Sequence, residues 1–233
     1  SMGWKWPGPA YLLTPKSKTI GIVHSHRTLE GDLSGWGRYL NDRYCAVGAV
    51  NPRLVTALTP HVNVPLCLTM NGVDPGLFCP RKAPRSGPMI LGWSGQGNDP
   101  EFRGLPIMAE ACAMAGWQFR PHSAKAGREA HEKMAGVYHG FDAYACMSET
   151  EGCSLSLLEA AACGLPCFST DCGTAREMIG WNDSRGKLIE RSKEALAETL
   201  RQWTRTKCEA TGERMRMEIL ASWTWEKRVR DWD

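Results

Sequence analysis

The stretch Ala143–Ser169, AYACMSETEGCSLSLLEAAACGLPCFS, decides the fold. Its opening run Ala143–Met147 is short and apolar, and it breaks off in polar residues and Gly152, which is the pattern of a buried strand entering a turn. Leu155 to Cys163 is built from good helix formers, Gly164 and Pro166 stop the helix, and Pro166–Ser169 is a second short apolar run. Strand, glycine turn, helix and strand in so short a span make a crossover unit, and such a crossover joins parallel strands.

The same alternation extends in both directions. Upstream, Pro88–Trp93 reads as a strand running into the glycine-rich turn Ser94–Asn98. Helix is expected over Leu105–Ala115, strand over Trp117–Arg120, and helix around Ala126–Tyr138. Downstream, a helix begins near Thr174. Ser192 caps another helix, whose Leu196, Leu200 and Trp203 share one face at spacings of four and three. A last helix holds Met215 and Ile219 and leads to Trp223 and Trp225, read as packing residues. The expectation is an α/β fold with a Rossmann-type, doubly wound parallel sheet that binds ligands beyond the carboxyl ends of its strands.

Ahead of residue 88 the texture differs. Thr19–Val23 reads as a buried strand and Cys45–Val50 as a weaker one, and helical signals are few. Prolines at 75, 80, 84 and 88 mark residues 75–88 as an exposed linker. The expected division is a reduced α/β domain over 1–74, the linker 75–88, the main domain over 89–215, and a C-terminal helix over 216–233 that packs back toward the N-terminal part.

Composition sets outer limits. With 233 residues, 42% hydrophobic and 23% charged, and a mean hydropathy of -0.35, the chain is neither disordered nor fibrous. No apolar run approaches the roughly 18 residues of a membrane span, and the first residues lack a signal-peptide pattern, so a cytoplasmic protein is expected. The ten cysteines include no C-x-x-C pair. Cys163, Cys167 and Cys172 have no nearby histidine and read as small buried side chains, so no metal site is expected. Net charge is +3, but residues 1–88 carry ten Lys/Arg against four Asp/Glu, and the remainder eighteen against twenty-one. One part is basic and the other slightly acidic.

The chemistry concentrates after Met147. A strand delivers Glu151 into a turn made permissive by Gly152, and the helix starting near Ser154 presents unsatisfied amides above the sheet, which is an anion site. Glu159, eight positions after Glu151, lies one to two turns into this helix and reaches the same crevice. Acidic residues near a helix start also stabilise it through its dipole. Two carboxylates beside an anion site suit a ligand with both phosphate and hydroxyls, hence a nucleotide-sugar more than a plain nucleotide.

This segment resembles the E-x7-E signature of the retaining group 1 glycosyltransferases, family four, which have a GT-B fold. Three further segments resemble that family in the same order: Asn71-Gly-Val-Asp74 with Phe78 and Pro80, Ile90–Gly95 with Phe102-Arg-Gly-Leu105, and Ser222-Trp-Thr-Trp-Glu226. The resemblance covers residues 71 to about 230 and makes the main domain a donor-binding domain. It implies that Glu151 sits at the donor sugar, that Glu159 binds the ribose hydroxyls, and that the amides of Cys153, Ser154 and Leu155 face the distal phosphate and sugar. Gly95, Gln96 and Gly152 are implied at the donor. Arg103 stands where the family has lysine and meets the diphosphate, and His24 or His26 faces the sugar from the first strand's end. Gln96 stands where an arginine is usual, a charge that Arg120 or Lys125 would have to replace. A GT-B half has roughly 150 residues, whereas only about 75 precede the linker.

The expected function is therefore metal-independent, retaining transfer of a sugar from a UDP- or GDP-sugar to an acceptor hydroxyl, with no cofactor. The acceptor stays open: a glycan, a lipid at an anionic surface, or DNA carrying a hydroxymethylated base. The rival reading is a non-catalytic nucleotide-sugar-binding module that needs a partner subunit.

Overall fold

The computed structural model describes residues 19–25, 31–96, 98–123, 129–180 and 184–232, apart from the side chains of 231 and 232. The chain divides into two compact units, with the boundary at Met70/Asn71.

The first unit holds β1 (Ile20–Val23), α1 (Leu33–Arg43), β2 (Ala46–Ala49), α2 (Pro52–Leu58) and β3 (Leu66–Leu68), with the strands parallel in the order β1-β2-β3. Both strands expected here are present. The two helices carry weak sequence signals because α1 contains Gly35 and Gly37, which lower its propensity. Caps and packing compensate. Asp32 accepts the Gly35 amide at 2.7 Å, Asn51 accepts the Leu54 amide at 2.8 Å, and Gly37 lets α1 pass against the His61 carbonyl.

The second unit holds β4 (Ile90–Gly95), α3 (Pro100–Arg103), α4 (Leu105–Ala115), β5 (Gln118–Ser123), α5 (Met134–Tyr138), β6 (Ala143–Cys146), α6 (Leu155–Ala162), β7 (Cys167–Ser169), α7 (Ala175–Ile179), β8 (Gly186–Leu188), α8 (Lys193–Arg201), α9 (Arg205–Ser222) and α10 (Trp225–Arg228). A single 3-10 turn, His131–Lys133, precedes α5. The sheet is wholly parallel in the order β5-β4-β6-β7-β8. Its core joins Leu91, Met108, Phe168, Leu196, Leu200 and Trp203, so the striped face of α8 is buried as its spacing requires. Phe168 and Trp203 meet edge to face at 4.7 Å. Trp223 is buried, whereas Trp225 is 45% exposed and is not a core residue.

Residues 75–88 are not a free linker but part of the second unit. Most of them are exposed and have no helix or strand, as expected, and arginines from distant positions hold several of their carbonyls. Phe78 is buried, and Arg216 donates to the carbonyls of Pro75, Phe78 and Ala162 at 2.9, 2.5 and 2.5 Å. Arg85 and Arg205 close on Asp142, whose side chain is wholly buried and also accepts the Ile90 amide at 2.8 Å. The boundary expected at 215/216 falls inside α9, because Met215 and Ile219 bury the same helix face. Beyond α9 the chain pairs with Val73, whose amide reaches the Trp223 carbonyl at 2.9 Å and whose carbonyl accepts from Trp225 at 3.3 Å. Two of the segments that carry the family resemblance thus meet within this unit. Among the described residues no helix is long and apolar enough to cross a membrane.

Candidate functional site

The carboxyl ends of β4 and β5 and the start of α6 surround a cavity of about 280 Å³, lined in part by Gly95, Gln96, His122, Leu155, Ser156 and Glu159. A cavity of about 330 Å³ lies at the opposite, amino-terminal end of the strands beside Asp142 and Leu165. The smaller one is the candidate, since open parallel sheets bind ligands at their carboxyl ends and the two arginines of the larger one, Arg81 and Arg216, are already committed to Asp142 and to carbonyls.

Glu151 leaves the loop after β6 with one carboxylate oxygen held by Ser148 Oγ at 2.8 Å and by the guanidinium of Arg103. Backbone contacts make this meeting possible. The Glu149 amide donates to the Phe102 carbonyl at 3.1 Å, and Gly104 turns at φ +71 with the Met147 carbonyl where a Cβ would stand, at 2.4 Å. Any side chain there would push α3 off the loop. Arg191 ties the same two elements together, donating to Met147 O at 2.9 Å and to the carbonyls of Glu101 and Phe102. On the other side of the loop, Gly173 at φ +56 brings the turn Thr170-Asp-Cys-Gly173 onto the Gly152 carbonyl.

Cys153 is buried beneath this turn, its carbonyl taking a bond from Asn71 Nδ2 at 3.0 Å and its thiol one from Thr174 at 3.4 Å. Ser154 is the N-cap of α6 and accepts the Leu157 amide at 3.4 Å. The first amides of α6 therefore stand at the cavity mouth. Leu155 is 47% exposed there.

Glu159 is only 7% exposed. Burial raises its carboxyl above the usual range, opposed by the hydrogen bond from Tyr138 and by His131. Tyr138 donates to it at 2.6 Å and meets Ser94 Oγ at 2.9 Å, and Tyr144 joins Ser94 at 3.3 Å. Burial, with Tyr144 and Glu159 nearby, keeps the Tyr138 hydroxyl protonated well above its ordinary range, so it acts as donor. Phe78, Phe141 and Tyr144 pack edge to face against Tyr138 at 6.0, 6.3 and 5.9 Å. A folded-state carboxyl raised above its unfolded value costs stability as pH climbs through it. Glu159→Gln is therefore expected to be more stable than the wild type by a margin that grows as pH rises above about 4.5 and then levels off. Thermal melts of both proteins from pH 4 to 8 check this.

The structure brings Gly95, Gln96, Leu155 and Glu159 to the cavity, and Arg103 to Glu151. Arg120 points elsewhere, to the Gly140 carbonyl at 3.4 Å, so it does not replace the charge missing at Gln96. Lys125 lies outside the described residues, as does His26. His24 is exposed after β1 in the first unit. The sequence reading missed Ser94, His122, Glu129, His131, Tyr138 and Arg191. The parallel register that sets His122 beside Ser94 at the carboxyl edge was the available signal for the first two.

Among the described residues no group of three or more His, Cys, Asp or Glu is placed to hold a metal ion. The thiols of Cys112, Cys163 and Cys208 are each pushed up to about 12 by burial, and these residues act as packing groups.

Residues 121–218 match the family model described as glycosyl transferases group 1. No curated protein sequence matches the chain. Among solved structures it is similar to sucrose-phosphate synthase from Thermosynechococcus elongatus, with TM-score 0.73 and 17% identity over 88% of this chain and 61% of that one. It is similar to HepE from Anabaena in complex with UDP and glucose, with TM-score 0.71 and 15% identity over 91% and 68%. It also resembles the C-terminal domain of the group 1 family protein LpcC from Francisella tularensis, with TM-score 0.55 and 17% identity over 66% of this chain and all of that one. The chain spans about three fifths of the length of the first of these. Its α/β fold with parallel sheets is the one found in GT-B glycosyltransferases.

Proposed function

We propose that the chain binds a nucleoside diphosphate sugar at the carboxyl edge of the second sheet and acts in retaining transfer of that sugar to an acceptor hydroxyl, without an obligatory metal. The observation that carries this is the placement of Glu151 and Glu159 on either side of the exposed amino end of α6, with Arg103 at the first and a cavity at the second. In this reading Glu159, a buried acceptor with Tyr138 fixing its orientation, takes the ribose hydroxyls. The amino end of α6 and Gly95–Gln96 receive the diphosphate. Arg103 shifts from Glu151 to the departing phosphate as negative charge builds there, which frees the Glu151 carboxylate for the sugar. HepE was solved with UDP and glucose and has this fold, which agrees with such a donor. The acceptor is a hydroxyl of a glycan, a lipid or a modified base in DNA.

The test is a thermal shift of the protein with UDP- and GDP-sugars, together with donor hydrolysis and transfer in EDTA. The expected result is a rise in melting temperature and slow EDTA-insensitive release of free sugar. No shift with any nucleotide-sugar overturns the proposal. A shift without turnover, in the presence of acceptors of all three kinds, assigns a binding module instead.

A further inference from the structure

The helix that carries Arg103, α3, is four residues long, and a helix of that length leaves most of its carbonyls without a partner of its own. Donors from other elements meet them. The Phe102 carbonyl takes the Glu149 amide at 3.1 Å, and Arg191, just past β8, reaches the same helix end from a third element. Its Nη2 donates to the Glu101 carbonyl and, at 3.4 Å, to that of Phe102. Its Nε donates to the Met147 carbonyl at 2.9 Å, and its Nη1 stands 3.7 Å from the Glu149 carboxylate. One planar guanidinium therefore clamps α3 onto the loop after β6.

The residues it clamps are the immediate neighbours of the charged pair. Phe102 precedes Arg103, whose guanidinium lies over the Phe102 ring at 5.4 Å. Met147 and Glu149 flank Ser148, whose Oγ holds at 2.8 Å the same Glu151 oxygen that Arg103 meets. A shift of α3 against the loop would separate Arg103 from Glu151 without touching either side chain. Given the transfer proposed for this site, we infer that Arg191 is a positioning residue for it, acting through Arg103. Arg191 bonds carbonyls and Glu149, so its role lies in the fork and not in its charge alone. Lysine would keep the charge and lose the fork, since an ammonium is a point donor that cannot span carbonyls from two elements in one plane.

The test is donor hydrolysis with UDP- and GDP-sugars, read as kcat and KM, on wild type, Arg191→Lys, Arg103→Ala and the double variant, with a thermal melt of each. Arg191→Lys is expected to lower kcat about tenfold and leave KM within about twofold, the pattern of an interaction felt only in the transition state. Arg103→Ala should lose about 100-fold. The double variant should match Arg103→Ala within about threefold, because Arg191 then has no cation left to position. Losses that multiply in the double variant overturn the inference, since Arg191 would then act independently of Arg103. Wild-type kcat in Arg191→Lys overturns it too, because the charge alone would suffice. Arg191→Gln takes the same place in the cycle should the lysine variant not fold. A wild type that turns over no nucleotide-sugar overturns the function on which the inference rests, and the inference with it.

Discussion

Glu151→Gln is expected to lower turnover of the nucleotide-sugar by about 100- to 1000-fold, the range found when one preorganised hydrogen-bonding group is taken from a transition state. The substitution keeps the shape and an acceptor for Ser148 Oγ and removes only the charge. Folding should change little, because the Arg103–Glu151 pair is only partly buried, with side chains 33% and 19% exposed, and pairs that keep contact with solvent contribute about 0–1 kcal/mol. Nucleotide binding should hold or tighten, since Arg103 no longer has a carboxylate competing for it. Donor hydrolysis, nucleotide titration and a thermal melt on the same preparation separate these effects. Turnover within a few-fold of wild type would remove Glu151 from the reacting centre. Loss of nucleotide binding alongside turnover would mean that the charge holds the loop and does not face the sugar.

The largest effect on stability is expected far from that site. Asp142→Asn should destabilise the protein by about 3–5 kcal/mol, the cost of removing one partner from a buried ion cluster. The carboxylate has no solvent access. Arg85 and Arg205 close on it, Arg81 stands at 3.8 Å, and the Ile90 amide donates to it. Asparagine retains one acceptor for Ile90 and leaves Arg85 and Arg205, each about one fifth exposed, without this counter-charge, while Arg81 keeps only that of Glu209 at 3.9 Å among the described residues. The melting temperature should fall by about 6–20 °C, with residues 80–88 becoming the first to yield to protease. An Asp142→Asn protein that melts within about 2 °C of wild type would show that burial of Phe78 and the Arg216 contacts, and not this cluster, hold the segment.

That cluster also shows where sequence reading stops. Strands and helices of the second unit were legible because their signals are local: apolar runs end in glycine, Ser192 caps α8, and Leu196, Leu200 and Trp203 repeat at helical spacing. The helix expected over Leu105–Ala115 is found with those bounds. Short elements such as α3 and β8, at four and three residues, carry too little pattern to be recognised. That residues 75–88 are mostly exposed and irregular was readable from their prolines, whereas their attachment to the second unit was not, since it depends on Phe78 and on arginines at 205 and 216. Nothing in the local sequence marks an arginine as the partner of a carbonyl more than a hundred residues away.

The site divides in the same way. Glu151 and Glu159 were readable because both lie on one strand-turn-helix, and their spacing along the chain sets their spacing in space. The floor that controls Glu159 was not readable, since Ser94, Tyr138 and Tyr144 come from three separate elements. Their hydroxyls meet only when β4 and β6 pair and α5 covers them. The sequence alone determined a parallel α/β fold and a glycine turn at a helix start flanked by two carboxylates. Tertiary structure decided that Arg103 is paired with Glu151, that Glu159 is buried against Tyr138, and that His131 joins Glu159 in lining the cavity. The physical reason is that helix starts and strand ends follow from neighbouring residues, while charge pairing and burial follow from which distant surfaces close on each other.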